Sequence, residues 1–333
     1  MTRPRVLLAM RDDALARELL DDAAWARLRT VAEVTQDVLA DPDDPAFRTV
    51  LAETELLLTG WGAPALDEAF LRRTPRLRAV AHAAGTVKRL VTPEAWERGI
   101  RFSTAAEANG IPVAEYALAM ILLAGKRVFD AQRFLRTERT LAWRPSGPFG
   151  NDGAVIGVVG ASRIGRRLLE LLRPFDVQVL LSDPTVDAGE AAVLGAELVA
   201  LDDLLARSAV VSLHAPLLSS TERMIGAREL ARMPDGATLV NTARGRLVDT
   251  DALVAELVSG RLRAVLDVTD PEPLPPGHPL YEAPGAFLTP HVAGALGNEL
   301  HRLGAHAVAE IERFIVTGAF ADEVHPDALT GIA

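Results

Sequence analysis

A chain of 333 residues is about twice the ~150-residue scale of one domain, so two domains or one large α/β unit are expected. Hydrophobic residues at 49% and charged residues at 24% exclude a disordered chain, and the absence of cysteine excludes disulfides, thiolate metal sites, iron–sulfur clusters and cysteine nucleophiles. Thirty-five Lys plus Arg against forty-five Asp plus Glu leave a formal net charge of −10, so no nucleic-acid partner is expected.

The first ten residues are basic, but their apolar run is short and Arg11-Asp12-Asp13 follows directly. They read as a first strand, not a signal peptide. Short apolar runs over residues 5–9, 55–59, 77–81 and 100–103 alternate with helical patterns such as 13–20 and 63–73, with a Pro- and Asp-rich loop at 41–45. After Asn109-Gly110-Ile111-Pro112 a long helical pattern runs from Val113 to about Arg136. Its longest clean apolar run, Tyr116 to Gly125, is about half of the ~20 residues a bilayer span needs, so no membrane association is expected. A second series of six strand candidates begins at residue 154 and continues through 177–182, 209–213, 237–241, 264–268 and 286–289. Helical segments at 164–172, 202–206 and 249–259 lie between several of them, and residues 298–317 form a last amphipathic helix. Such alternation of strand and helix predicts parallel sheets.

The stretch from Val155 to Leu169 places a strand directly before a glycine turn and the turn directly before a helix, which is the setting of a dinucleotide fingerprint. Gly160 permits the tight turn, Gly165 permits close helix packing, and the helix N-terminus over Arg163 and Ile164 offers amides to a pyrophosphate. Ser162 stands where the middle glycine is usual, and its hydroxyl is a further donor toward the phosphate. Asp183 follows Gly165 by 18 residues, near the ~20-residue offset of the acid that binds ribose hydroxyls and repels a 2′-phosphate. That favours NAD over NADP.

Three loops follow later strands of the same series: Asn241 to Gly245, Asp267 to Pro273, and Thr289 to Gly294. Each carries one residue suited to reducing a 2-oxo acid. Arg244 offers a planar fork for a carboxylate, His291 a proton near neutral pH, and Glu272 a partner that stabilises the imidazolium. Taken singly, each also reads as an ordinary surface or turn residue; together, in loops after strands of one nucleotide-binding sheet, they read as a site.

Val113-Ala-Glu115, the 157–165 turn, Val211 to Leu217, Leu239 to Asp249, Asp267-Val268, Pro271 to Leu274 and Thr289 to Gly294 together resemble the D-isomer-specific 2-hydroxyacid dehydrogenase family, in that family's order. The resemblance implies an α/β protein in which a Rossmann-type parallel-sheet cofactor domain (residues 104–294) is inserted into a smaller flavodoxin-like α/β substrate domain (1–103 and 295–333). The active site would lie in the cleft between them. It implies NAD as cofactor, a 2-hydroxy or 2-oxo acid as substrate and no metal. Arg244, Glu272 and His291 would be catalytic, with Arg244 and His291 also contacting substrate beside Gly85 and Thr86. His214, Ala215, Pro216, Thr221, Thr242, Ala243 and Gly294 would line the cofactor groove, and Asp267 would hold the nicotinamide carboxamide.

Around Gly85 the chain reads Ala83-Ala-Gly-Thr-Val-Lys-Arg89 where the family usually has Gly-Val-Asp, so substrate-tail contacts are open, with His82 and Lys88 as candidates. The family's long helix packs against a second subunit, which implies a homodimer, and the absence of cysteine is compatible with the cytoplasm. Two other readings stay open: an NAD-responsive corepressor without turnover, and a dehydrogenase for another small anion such as formate or phosphite.

Overall fold

The computed structural model describes residues 3–145, 147 and 149–326. Five strands come first: β1 (Arg5–Ala9), β2 (Glu33–Leu39), β3 (Leu56–Thr59), β4 (Ala79–His82) and β5 (Arg101–Thr104). Seven follow: β6 (Ala154–Val159), β7 (Val177–Ser182), β8 (Glu197–Leu198), β9 (Val210–Leu213), β10 (Thr238–Asn241), β11 (Arg263–Leu266) and β12 (Ala286–Leu288). A last strand, β13 (Glu323–Val324), follows the helix Leu300–Thr317. The chain divides into two compact units, Met1–Asn109 with Ala295–Ile332, and Gly110–Gly294. The first division falls inside the helix Ala106–Gly125.

In the first unit the sheet order is β13-β5-β4-β3-β1-β2, parallel except for β13. Read from β2, this is the 2-1-3-4-5 order of flavodoxin-like sheets. β1 and β3 are continuous Leu- and Val-rich runs because both sheet faces are covered. Val6, Leu8 and Leu58 pack under the helices Asp13–Leu19, Asp22–Val31 and Leu300–Thr317, while Leu7 and Leu57 pack with Leu51, Phe70 and Phe102 on the other face. Gly304 lets the last helix meet the backbone of Leu19, whose carbonyl carbon would lie 2.6 Å from an added Cβ.

The second unit has seven parallel strands in the order β12-β11-β10-β9-β6-β7-β8. The first strand, β6, lies inside the sheet, with the chain building toward β8 on one side and β12 on the other. Such a reversal of strand order opens a crevice at the carboxyl ends of β6 and β9. The helix Ala106–Gly125 is long and apolar enough, by length and composition, to cross a membrane. Its stripe Ala114, Ala117, Ile121 and Ala124 packs in one cluster with Ile156, Val158, Val240 and Val265 of the sheet.

Several elements differ from the sequence expectation. The long helix starts at Ala106, takes Pro112 into its interior, and stops at Gly125; Arg127 turns the chain with φ 53° before a separate helix, Val128–Glu138. The predicted helix over 63–73 is formed only as Glu68–Arg73, because Asp67 caps it through Phe70 N and the Leu66 amide bonds to Leu90 instead. Strands β2, β8 and β13 were not expected, and all three are sheet edges. An edge strand needs no continuous apolar run.

Gly304→Ala should lower stability by about 1–3 kcal/mol, since the clash is with backbone that cannot step aside. Urea unfolding of the variant against the parent checks this.

Candidate active site

The crevice at the β6 and β9 ends is lined by main chain. Gly160 has φ 99°, and a Cβ there would lie 2.5 Å from Ala215 N and 2.7 Å from the His214 carbonyl carbon. Only glycine satisfies both conditions. At Gly165 a Cβ would run into the Gly160 carbonyl, so the helix Arg163–Leu172 starts pressed onto the turn. Ser162 caps that helix, its Oγ accepting from Gly165 N at 3.3 Å. The residue that departs from the glycine pattern thus has a structural use as an N-cap. The first-turn amides of this helix present the positive end of its dipole.

Asp183, just past β7, accepts from Ala161 N at 2.6 Å and from Thr185 N and Oγ1 at 2.8 and 2.6 Å. Burial acts to raise its pKa, but these bonds outweigh it and hold the group below the ordinary carboxylate value. Under the glycine turn, His214 is buried with Nε2 2.8 Å from Ser212 Oγ, while Nδ1 has no partner among the described residues. Burial lowers its pKa to about 4, so the ring is neutral. Thr242 Oγ1 is likewise buried without a partner. Thr221 closes the 216–221 loop, its Oγ1 donating to Pro216 O at 2.6 Å and accepting from Leu218 N at 2.8 Å.

The loops after β10, β11 and β12 bring the predicted catalytic residues to one end of the same sheet. Asn241 folds the first loop by accepting from Ala243 N and donating to Arg244 O. Gly245 then lets that loop meet the next one, where a Cβ would lie 2.6 Å from Asp270 N. Arg244 is half-buried; its guanidinium donates to Ala243 O and forms no ion pair among the described residues. Burial lowers its pKa from the ordinary arginine value, opposed by the charge of Glu272. His291 Nδ1 lies 2.5 Å from Glu272 Oε1. His291 has φ 57°, a left-handed conformation that costs a non-glycine residue roughly 1–2 kcal/mol.

Asp267 holds it there. This carboxylate, 2% exposed, accepts from Thr289 Oγ1 (2.6 Å), Val292 N (2.8 Å) and Ala293 N (2.9 Å), and its backbone carbonyl accepts from His291 N (3.0 Å).

Residues 118–293 match the family model described as D-isomer specific 2-hydroxyacid dehydrogenase, NAD binding domain. The chain belongs to this family. It is 32% identical over 328 residues to a glyoxylate reductase of Aeropyrum pernix, covering 94% of this chain and 93% of that one. It is 35% identical over 291 residues to the D-3-phosphoglycerate dehydrogenase of Mycobacterium bovis, covering 86% of this chain and 53% of that one. The chain therefore spans about half the length of the D-3-phosphoglycerate dehydrogenase it matches. Among solved structures, the D-mandelate dehydrogenase of Rhodotorula graminis superposes with a TM-score of 0.79 at 27% identity, over 97% of this chain and 98% of that one.

The second unit is accordingly the family's NAD-binding domain, and its residues suit the cofactor. The close approach at Gly160 leaves no room for a side chain in the turn that leads into the helix, and His214 Nδ1 and Thr242 Oγ1 are buried polar atoms without partners among the described residues. Asp267, expected as the carboxamide ligand, accepts three bonds from the loop after β12. Gly85 and Thr86 lie past β4 in the other unit. His82, a candidate for tail recognition, is buried, its Nδ1 2.9 Å from Thr59 Oγ1, with a further bond to the Thr86 backbone. Lys88 is exposed. Two features escaped the sequence reading: the Gly245 contact, which the Arg-Gly pair hinted at, and the left-handed His291, which has no sequence signal.

Burial puts the pKa of both His82 and His214 at about 4, below the ordinary 6.5. Between those values the unfolded chain binds protons that the folded chain does not, so stability falls as pH is lowered through that window. Urea midpoints should decline from pH 7 to pH 5, and a His82→Gln, His214→Gln double variant should show a flatter slope.

Proposed function

We propose that the protein is an NAD-dependent oxidoreductase that interconverts a D-2-hydroxy acid and its 2-oxo acid. The observation that carries this is the pairing of His291 Nδ1 with Glu272 Oε1 at 2.5 Å, in loops of the same sheet that positions the half-buried Arg244. Arg244 grips the substrate carboxylate and polarises the carbonyl with its planar donors. Glu272 occupies Nδ1, which leaves Nε2 of His291 to exchange the proton, and its charge stabilises the imidazolium. In reduction Nε2 protonates the emerging alkoxide; in oxidation it takes the hydroxyl proton. Bound NAD supplies or accepts the hydride at the substrate carbon.

Within the cofactor groove, the first-turn amides after Ser162 take the pyrophosphate, Asp183 the adenosine ribose, and His214, Thr242 and Asp267 the remaining polar groups. We further assign substrate binding to the unit containing Gly85 and Thr86, and a homodimer in the cytoplasm. The exposed apolar residues Val128, Leu135, Leu141 and Phe149 on and after the helix Val128–Glu138 support the dimer. Relatives named for glyoxylate, phosphoglycerate and (S)-sulfolactate support small 2-oxo acids as the substrate class.

His291→Ala should lower turnover by about 100-fold or more, the range for loss of a general acid. Arg244→Ala should raise KM and lower turnover together. Both are read by NADH oxidation with glyoxylate, hydroxypyruvate, pyruvate and phenylpyruvate. Tight NADH binding with no turnover of any 2-oxo acid by the parent protein would instead identify a sensor. Asp183→Ala should weaken NADH binding and narrow its preference over NADPH, which fluorescence titration with the two cofactors measures.

A further inference from the structure

The loop that carries His291 is tied to the long helix through a run of three polar groups. Tyr116 Oη lies 2.7 Å from Thr289 Oγ1, and Thr289 Oγ1 lies 2.6 Å from Asp267 Oδ1. The donors follow from proton count. A carboxylate only accepts, so Thr289 gives its single hydroxyl proton to Asp267, and Tyr116 must be the donor to Thr289. Burial, assisted by the Asp267 charge and opposed by the Thr289 bond, raises the phenol's pKa and keeps it a donor. Thr289 is also the residue from which the turn begins: its amide bonds to Leu266 O, and its carbonyl accepts from His291 N at 3.0 Å.

Tyr116 is placed by a rigid element, between the buried Ala114 and Ala117 of a helix packed on the sheet. A displacement of Thr289 would therefore pass to the backbone of His291 and so to the 2.5 Å contact with Glu272. We propose that Tyr116 is a positioning residue for His291, acting through Thr289. The proposal rests on the reading of His291 as the proton donor, and it adds that the helix, not only the loop, sets the imidazole.

The test uses the intact protein and the variants Tyr116→Phe and Thr289→Val, which keep ring and side-chain shape, together with the double variant. Each is assayed with hydroxypyruvate and NADH, and the histidine ring signals of the free protein are followed by NMR, the His291 signal being assigned by its loss in His291→Ala. Losing one such bond should lower kcat by about two- to tenfold, leave KM for NADH within about twofold, and shift the His291 signal. The double variant should be no worse than the poorer single variant, since both break one path. An unshifted His291 signal with parental kcat in Tyr116→Phe overturns the proposal, as do losses that multiply in the double variant. If the parent protein turns over no 2-oxo acid, the functional reading fails, and the NMR shift still decides whether Tyr116 positions His291.

Discussion

The site depends on one buried carboxylate. Asp267 is enclosed by protein and spends its charge on a hydroxyl and two amides of the loop that follows β12. Hydrogen bonds to a charged acceptor contribute about 1.5–3 kcal/mol each, so three of them exceed the roughly 1–2 kcal/mol needed to keep His291 left-handed. The strain at His291 is thus held by interactions on both sides of it, at Thr289 and at Val292 and Ala293. Removing the carboxylate would release the loop and leave the amides of Val292 and Ala293 without acceptors.

Main-chain proximity does the rest. At Gly160 the turn after β6 touches the backbone after β9, and at Gly245 the loop after β10 touches the backbone after β11. These two contacts fix neighbouring loops pairwise along the carboxyl edge of the sheet. One pair shapes the turn proposed to hold the dinucleotide; the other sets Arg244 beside the segment leading to Glu272. Few side chains are needed to shape the crevice, because the sheet order already separates the strands where it reverses.

The inner strands were legible in the amino-acid sequence, as were the residues that the loops bring to one edge of the sheet, and the reason is physical. Strands covered on both faces, such as β1, β3 and β6, are apolar over most of their length, so they stand out; β2, with Glu33, Thr35, Gln36 and Asp37, sits at an edge and carries no such run. The break at Arg127 was hidden because its left-handed turn uses a residue with good helix propensity. Gly160, Ser162 and Asp183 could be picked out by spacing, but the use of Ser162 as a cap required the backbone conformation. Asp267 could be found, though not its three bonds, since its partners lie 22 to 26 residues away.

A net charge of −10 gives no expectation against anionic ligands once the site's acids are followed to their partners. Asp267 faces amides and a hydroxyl, Asp183 accepts from Ala161 and Thr185, and Glu272 faces His291, so each carboxylate charge is met locally. Elsewhere the arginines are often paired, as Arg166 is with Glu190 and Arg207 with Glu197. Arg244 stands apart, with a bond to a carbonyl and no ion pair among the described residues. At physiological salt, charges more than ~8 Å apart in solvent are largely screened, so the acidic surface reaches this region weakly. The net charge of −10 therefore does not decide against the anionic substrate proposed for Arg244.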